Sequence, residues 1–330
     1  MTPDRSNTVG IIGGGAWGTA LAQVVASGER DVLLWARDPQ VVAAINESHE
    51  NPLFLPAVSL SARIRATGDL TELAGCVANL VVTPAQPMRS VLEKLPQHGQ
   101  PLLLCAKGIE AGSLQLLHEV AAEVHPDSPI AVLSGPTFAH EVAAGQPTAV
   151  TLAAKSEDQA QALTALIARP QFRPYWSTDL VGAEIGGAVK NVLAIACGVV
   201  EGAGLGQNAR ASLISRGFAE MTRFGLALGA RPETLAGLSG LGDLVLTCSS
   251  TSSRNFSLGL GLGQGIAASA LLTDRRTVAE GAFTAPVLCE AAAKHGVDMP
   301  VTQAVCALLD GSANVVQVVG ALLARPLKAE

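Results

Sequence analysis

Lys190 stands in "GGAVKNVLAIACG" (186–198), a lone charge among neighbours that are almost all small or apolar. At helical spacing, Gly186, Gly187, Leu193, Ala194 and Cys197 share its surroundings. A charge in such company is costly unless something balances it. In one reading the stem packs between helices while the ammonium reaches a carbonyl or carboxylate. In the other Lys190 is an acid/base group. Burial draws a lysine pKa toward neutrality, where it exchanges a proton with a reacting oxygen efficiently. On that reading the flanking glycines and Ala194 leave room for a small substrate, and Asn191 orients the ammonium.

A second constellation opens the chain. "TVGIIGGGAWGTALA" carries Gly13-x-Gly15-x-x-Gly18 between an expected strand and an expected helix. The first glycine allows a tight turn, the second lets backbone approach a pyrophosphate, and the third lets helix and strand pack closely. The helix N-terminus then offers unpaired N–H groups and partial positive charge to phosphates. A structural glycine turn is the plainer alternative. The next strand, "DVLLW", ends in Ala36-Arg37-Asp38. Arginine there suits the 2′-phosphate of NADP, and an acid the ribose hydroxyl of NAD. Arg37 favours NADP(H), while Asp38, one residue late, keeps NAD(H) open. A surface Arg-Asp pair is the bland reading. With a nicotinamide cofactor, a hydride moving to or from a carbonyl carbon needs a proton partner at its oxygen, the task Lys190 could serve.

Three further pieces follow expected strands: "TPAQP", "AKGIE" and "SGPTFAHE". In doubly wound sheets ligands bind beyond the carboxyl ends of the strands. Lys107 would project there, and Ser134-Gly135-Pro136-Thr137 offers N–H groups and a hydroxyl in a tight turn. Singly, each is also a snorkelling lysine or an ordinary turn. "SSTSSRNFSLG" (249–259) offers a guanidinium fork at Arg254 and an amide at Asn255, suited to phosphate oxygens, or else a solvated capping loop. Asp243 is equally readable as an N-cap, and Glu280 is ambiguous. His140-Glu141 begins like a zinc-protease motif, but position 144 is Ala, so no metal is expected.

The elements that must position these groups change character along the chain. Up to about residue 182, short apolar runs (8–12, 31–35, 64–67, 79–83, 101–105, 130–134, 148–153) alternate with helix-length segments, which implies a parallel sheet wrapped by helices. "FRPYWS" (172–177) reads as one more strand, at an edge because of Pro174. From residue 183 to 330, Ala- and Leu-rich helical spacing dominates. The expected fold is α/β, a doubly wound domain (1–182) followed by an all-α domain (183–330), with the cleft between them as the default ligand site.

The chain has 330 residues with 48% hydrophobic and 15% charged, which excludes long disorder. A net charge of −6 argues against a nucleic-acid surface. No stretch reads as a membrane span, and "MTPDRSNTVGIIGG" lacks signal-peptide character. The 6 cysteines show no CxxC pairing and read as reduced, buried thiols of a cytoplasmic protein. Oligomeric state is not legible, and a homodimer stays open.

"GGGAWGTALA", "WARD", "NPLFLP", "AKGIE", "SGPTFAHEVAAGQPTAV", "GGAVKNVLAIACG", "GLSGLGDLVLTC", "SRN" and "VAEG" together resemble the bacterial NAD(P)-dependent glycerol-3-phosphate dehydrogenases. The resemblance runs in order from about residue 9 to about 301. It implies a Rossmann-type domain followed by a helical domain like that of 6-phosphogluconate dehydrogenase. The implied reaction interconverts dihydroxyacetone phosphate and sn-glycerol 3-phosphate, a small-molecule substrate pair feeding phospholipid synthesis. Residue by residue, Lys190 resembles the family's proton donor/acceptor. Lys107, Gly135, Thr137, Asp243, Ser253, Arg254 and Asn255 resemble substrate contacts. Gly13, Gly15, Gly18, Ala16, Trp17, Arg37, Lys107, Ala139, Arg254, Val278 and Glu280 match cofactor positions. One departure is that Phe256-Ser257 follow Arg254-Asn255 where further basic residues are expected. The rivals are a β-hydroxyacid dehydrogenase of the 6-phosphogluconate or hydroxyisobutyrate type and a non-catalytic dinucleotide sensor.

Overall fold

The computed structural model describes residues 7–272 and 279–326. The chain divides into two compact units, Met1–Glu110 with Gln115–Glu184, and Ala111–Leu114 with Ile185–Glu330.

The first unit is built on eight strands: β1 (Thr8–Ile12), β2 (Asp31–Trp35), β3 (Ile64–Thr67), β4 (Ala78–Val81), β5 (Leu102–Leu104), β6 (Ile130–Ser134), β7 (Thr148–Ala154) and β8 (Phe172–Ser177). They form one sheet in the order β3-β2-β1-β4-β5-β6-β7-β8. Near-continuous aliphatic runs such as "TVGII" and "ANLV" are buried along almost their whole length, as both covered faces of a parallel sheet require. Order reverses between β1 and β4, the switch point where such sheets bind ligands.

The sheet is not parallel throughout, because β7 runs antiparallel to β6. The intervening segment carries only the short helix Ala139–Ala143, and a strand that returns directly must reverse direction. The longer helix Glu157–Ile167 then gives β8 a crossover, and β8 pairs parallel to β7. β8 is an edge strand, as Pro174 suggests.

The second unit contains long helices, chiefly Leu180–Gly202, which begins in the first unit, and Gln207–Ala227. Leu180–Gly202 has 23 residues and is long and apolar enough to cross a membrane by length and composition. The expectation that no such stretch exists is thereby corrected. The helix is nonetheless buried inside the protein. Its Gly198 and Gly202 face Gly259 and Gly263 on the helix Arg254–Gly263. A Cβ at Gly198 would stand 2.1 Å from Phe256 O, and one at Gly259 would stand 2.0 Å from Ile195 O. The two helices therefore touch main chain to main chain.

Candidate active site

In the first unit the three glycines of the loop do three different things. Gly13 has φ +130°, a conformation other residues avoid, and a Cβ there would lie 2.8 Å from Val82 O just past β4. A Cβ at Gly18 would lie 1.9 Å from Gly13 O, so this glycine seats the helix Ala16–Ala26 on the turn. Gly15, the N-cap of that helix, would have a Cβ that meets nothing within 4 Å. The protein does not require its smallness; open space beside a helix N-terminus does fit a phosphate. Ala16 and Trp17 form the first turn there. Asn51, fully buried, braces the loop by donating to Gly14 O at 2.9 Å and to Thr19 Oγ1 at 2.8 Å. Sequence reasoning missed Asn51; it opens the "NPLFLP" segment, whose asparagine-proline pair was the available signal.

At the tip of β2, Arg37 is exposed. Asp38 caps the helix Pro39–Ser48, accepting from Gln40 N at 2.9 Å. An engaged capping carboxylate and an exposed guanidinium make the arginine the group more available to a 2′-substituent. Beyond β5 and β6, Lys107 Nζ donates to Gly135 O at 3.3 Å and Thr137 Oγ1 to the same oxygen at 3.4 Å. The first unit thus gathers Lys107, Gly135 and Thr137, while Ala139 begins the next short helix.

In the second unit Lys190 is part of a buried ion pair. Its Nζ lies 2.5 Å from Asp243 Oδ1 and 3.0 Å from Thr247 Oγ1. Asp243 is fully buried and Thr247 nearly so. Thr247 also donates to Asp243 Oδ1 at 3.3 Å, one helical turn on. The turn of π-helix Leu238–Gly242 delivers Asp243 to the start of the helix Asp243–Cys248. Burial alone was the sequence argument for an unusual lysine. The adjacent carboxylate favours the charged form and so opposes burial. Cys248 nearby stays a neutral thiol, held protonated by its hydrogen bond with Cys197 and by burial.

Two expectations about the surroundings of Lys190 are corrected. Asn191 does not orient the ammonium: its Oδ1 accepts from Asn255 Nδ2 at 3.0 Å, and Asn255 Oδ1 accepts from Gly281 N at 2.9 Å. Gly186 does not open space for a substrate, because a Cβ there would stand 2.0 Å from Ser239 O. Its smallness serves packing. Thr247 was missed, although its position four residues after Asp243 puts both on one helix face.

Around the "SRN" loop, Ser253 is the N-cap of Arg254–Gly263 and its hydroxyl accepts from Phe256 N. Arg254 is exposed in the first helical turn and Asn255 is buried. Glu280 begins the helix Glu280–Lys294. Val278 lies outside the described residues. Among the described residues no group of three or more His, Cys, Asp or Glu side chains is arranged to hold a metal ion.

Residues 8–160 match the model of the NAD-dependent glycerol-3-phosphate dehydrogenase N-terminus, and residues 179–320 match that of its C-terminus. The chain belongs to the NAD-dependent glycerol-3-phosphate dehydrogenase family. A glycerol-3-phosphate dehydrogenase [NAD(P)+] of Erythrobacter litoralis is 64% identical over 322 residues, 98% of this chain and 97% of the relative. That of Novosphingobium aromaticivorans is 64% identical over 323 residues, 98% of each chain. The crystal structure of glycerol-3-phosphate dehydrogenase from Coxiella burnetii superposes with a TM-score of 0.92 at 37% identity, covering 97% of this chain and 99% of that one. Membership of the glycerol-3-phosphate dehydrogenase family sets aside the β-hydroxyacid dehydrogenase rival.

Proposed function

We propose that this chain transfers hydride reversibly between NAD(P)H and dihydroxyacetone phosphate, giving sn-glycerol 3-phosphate, with NADP(H) preferred. The observation that carries the reading is the buried Lys190–Asp243–Thr247 cluster, in a chain of this family.

The glycine loop fits a dinucleotide because the space at Gly15 is open where the protein itself does not need it. Gly13, Gly15 and Gly18 with Ala16 and Trp17 hold the pyrophosphate side, and Arg37 a 2′-phosphate. Lys107, Ala139, Arg254, Val278 and Glu280 are the remaining cofactor positions named by the resemblance. When bound, the nicotinamide supplies the hydride. Lys190 holds a proton at the C2 oxygen and stabilises the negative charge that grows there. Asp243 and Thr247 fix the ammonium, so the proton is presented in one direction.

For substrate, the resemblance names Lys107, Gly135 and Thr137. Arg254 meets phosphate oxygens at a helix N-terminus, with Ser253 offering its remaining O–H. Asn255 positions this loop through Asn191 and Gly281. Binding energy gathered at the phosphate then orients C2. The product class suits supply of phospholipid backbones. None of the six cysteines is in a disulfide, in keeping with a reducing, cytoplasmic setting.

The test is oxidation of NADPH with dihydroxyacetone phosphate against a panel of β-keto acids. Turnover confined to the phosphorylated ketone supports the reading; turnover of a keto acid with none of the ketone phosphate overturns it.

A further inference from the structure

Two of the six cysteines depart from the expectation of buried thiols. Cys289 lies on the helix Glu280–Lys294 and Cys306 on Pro300–Leu309. Their sulfurs are 3.2 Å apart, already in contact. Both residues are partly exposed, whereas Cys76, Cys105, Cys197 and Cys248 are buried. The pair therefore combines proximity with access, the two conditions for exchange.

We propose that Cys289 and Cys306 form a reversible dithiol/disulfide site that reacts with small-molecule disulfides. The roles within the pair are unequal. The hydrogen bond between the two sulfurs lowers the Cys289 pKa from the ordinary thiol value, ahead of burial, which raises it. Cys306 is shifted upward by the same bond. In this proposal Cys289 is the attacking thiolate, with the Cys306 sulfur in reach 3.2 Å away. It displaces one thiolate from the incoming disulfide and becomes a mixed disulfide. Cys306 then gives up its proton to that released thiolate and its sulfur attacks Cys289 Sγ, expelling the second thiolate, which takes a proton from solvent. One small disulfide is reduced to two thiols, and the two cysteines are oxidised to one bond.

The consequence is mechanical. The bond ties together two helices that are already packed and closes the loop of residues 290–305. Such a link stabilises chiefly by restricting the unfolded chain. Neither thiol belongs to the proposed catalytic machinery, so turnover persists in the oxidised form.

The intact protein is equilibrated with glutathione disulfide, alkylated with iodoacetamide, digested and analysed by mass spectrometry, with thermal unfolding measured in parallel. The expected result is a Cys289–Cys306 cross-linked peptide, removed by dithiothreitol, and a Tm higher by about 5 °C in the oxidised form. Cys306→Ser should arrest the reaction as a stable glutathione adduct on Cys289. Alkylation of both cysteines after equilibration, or an adduct on Cys289 that persists in the unsubstituted protein, would overturn the proposal. The Cys289→Ser/Cys306→Ser variant should keep unaltered reduced-state turnover and lose the oxidative rise in Tm.

Discussion

Lys190 and Asp243 meet at 2.5 Å with both side chains withdrawn from solvent, 53 residues apart in the chain. Removing one partner strands a buried charge, whereas removing both leaves an apolar site of similar volume. Breaking such a pair costs about 3–5 kcal/mol, while apolar replacement of the pair is often neutral. Lys190→Met should therefore lose roughly that much stability in urea unfolding and nearly all turnover. Lys190→Met/Asp243→Leu should regain most of the stability and none of the turnover. NADPH binding, followed by fluorescence, should stay close to that of the unsubstituted protein in both. Near-normal turnover in either variant would sink the acid/base role.

The glycine loop separates fold from ligand. At Gly15 an added methyl has open space, so Gly15→Ala should leave Tm almost unmoved and weaken NADPH binding by about tenfold or more. At Gly18 the methyl would collide with Gly13 O, so Gly18→Ala should lower Tm as well as binding. Equal stability losses at the two positions would contradict the assignment.

Arg37 should set the preference between cofactors. Charge-assisted hydrogen bonds are worth about 1.5–3 kcal/mol, so Arg37→Ala should reduce kcat/KM for NADPH roughly 10- to 100-fold. Values for NADH should change little. A strong NADH preference in the unsubstituted protein would refute this reading.

Glu220 makes stability depend on pH. It is buried beneath the helix Pro300–Leu309 and accepts from Val301 N at 2.7 Å and from Thr302 N at 3.3 Å. Burial pushes its pKa from 4.5 up to about 7, against these hydrogen bonds, which lower it. The folded protein therefore binds the proton more tightly than the unfolded chain does. The stabilisation is complete below about pH 4.5 and is lost as pH rises through about 7. Between pH 5 and 8 the protein should lose on the order of 3 kcal/mol relative to Glu220→Gln. Parallel urea curves at the two pH values check this, and identical pH dependence in both proteins would exclude it.

What could be read from the sequence was what depends on near neighbours in the chain. The glycine loop is legible because its spacing encodes one turn and one helix start. The alternation of strand and helix is legible for the same reason, down to Pro174 on an edge strand. Pairings set by packing were not. Asp243 read as an N-cap or a substrate contact, since nothing local ties it to Lys190. Asn191 follows the lysine directly, yet helix geometry turns it to Asn255. Cys289 and Cys306 lack a CxxC spacing and meet only because two helices pack. The reversal at β7 required knowing that residues 135–147 fold too compactly for a crossover.

The facing glycines of the helices Leu180–Gly202 and Arg254–Gly263 make those helices a caliper. One jaw carries Lys190 and the other begins at Arg254. Because the jaws meet on bare main chain, their gap has no rotamers with which to adjust. A single methyl at Gly198 or Gly259 would drive the jaws apart and shift Lys190 relative to Arg254. The spacing between those two charged side chains is thus held by the absence of others on the helices that carry them.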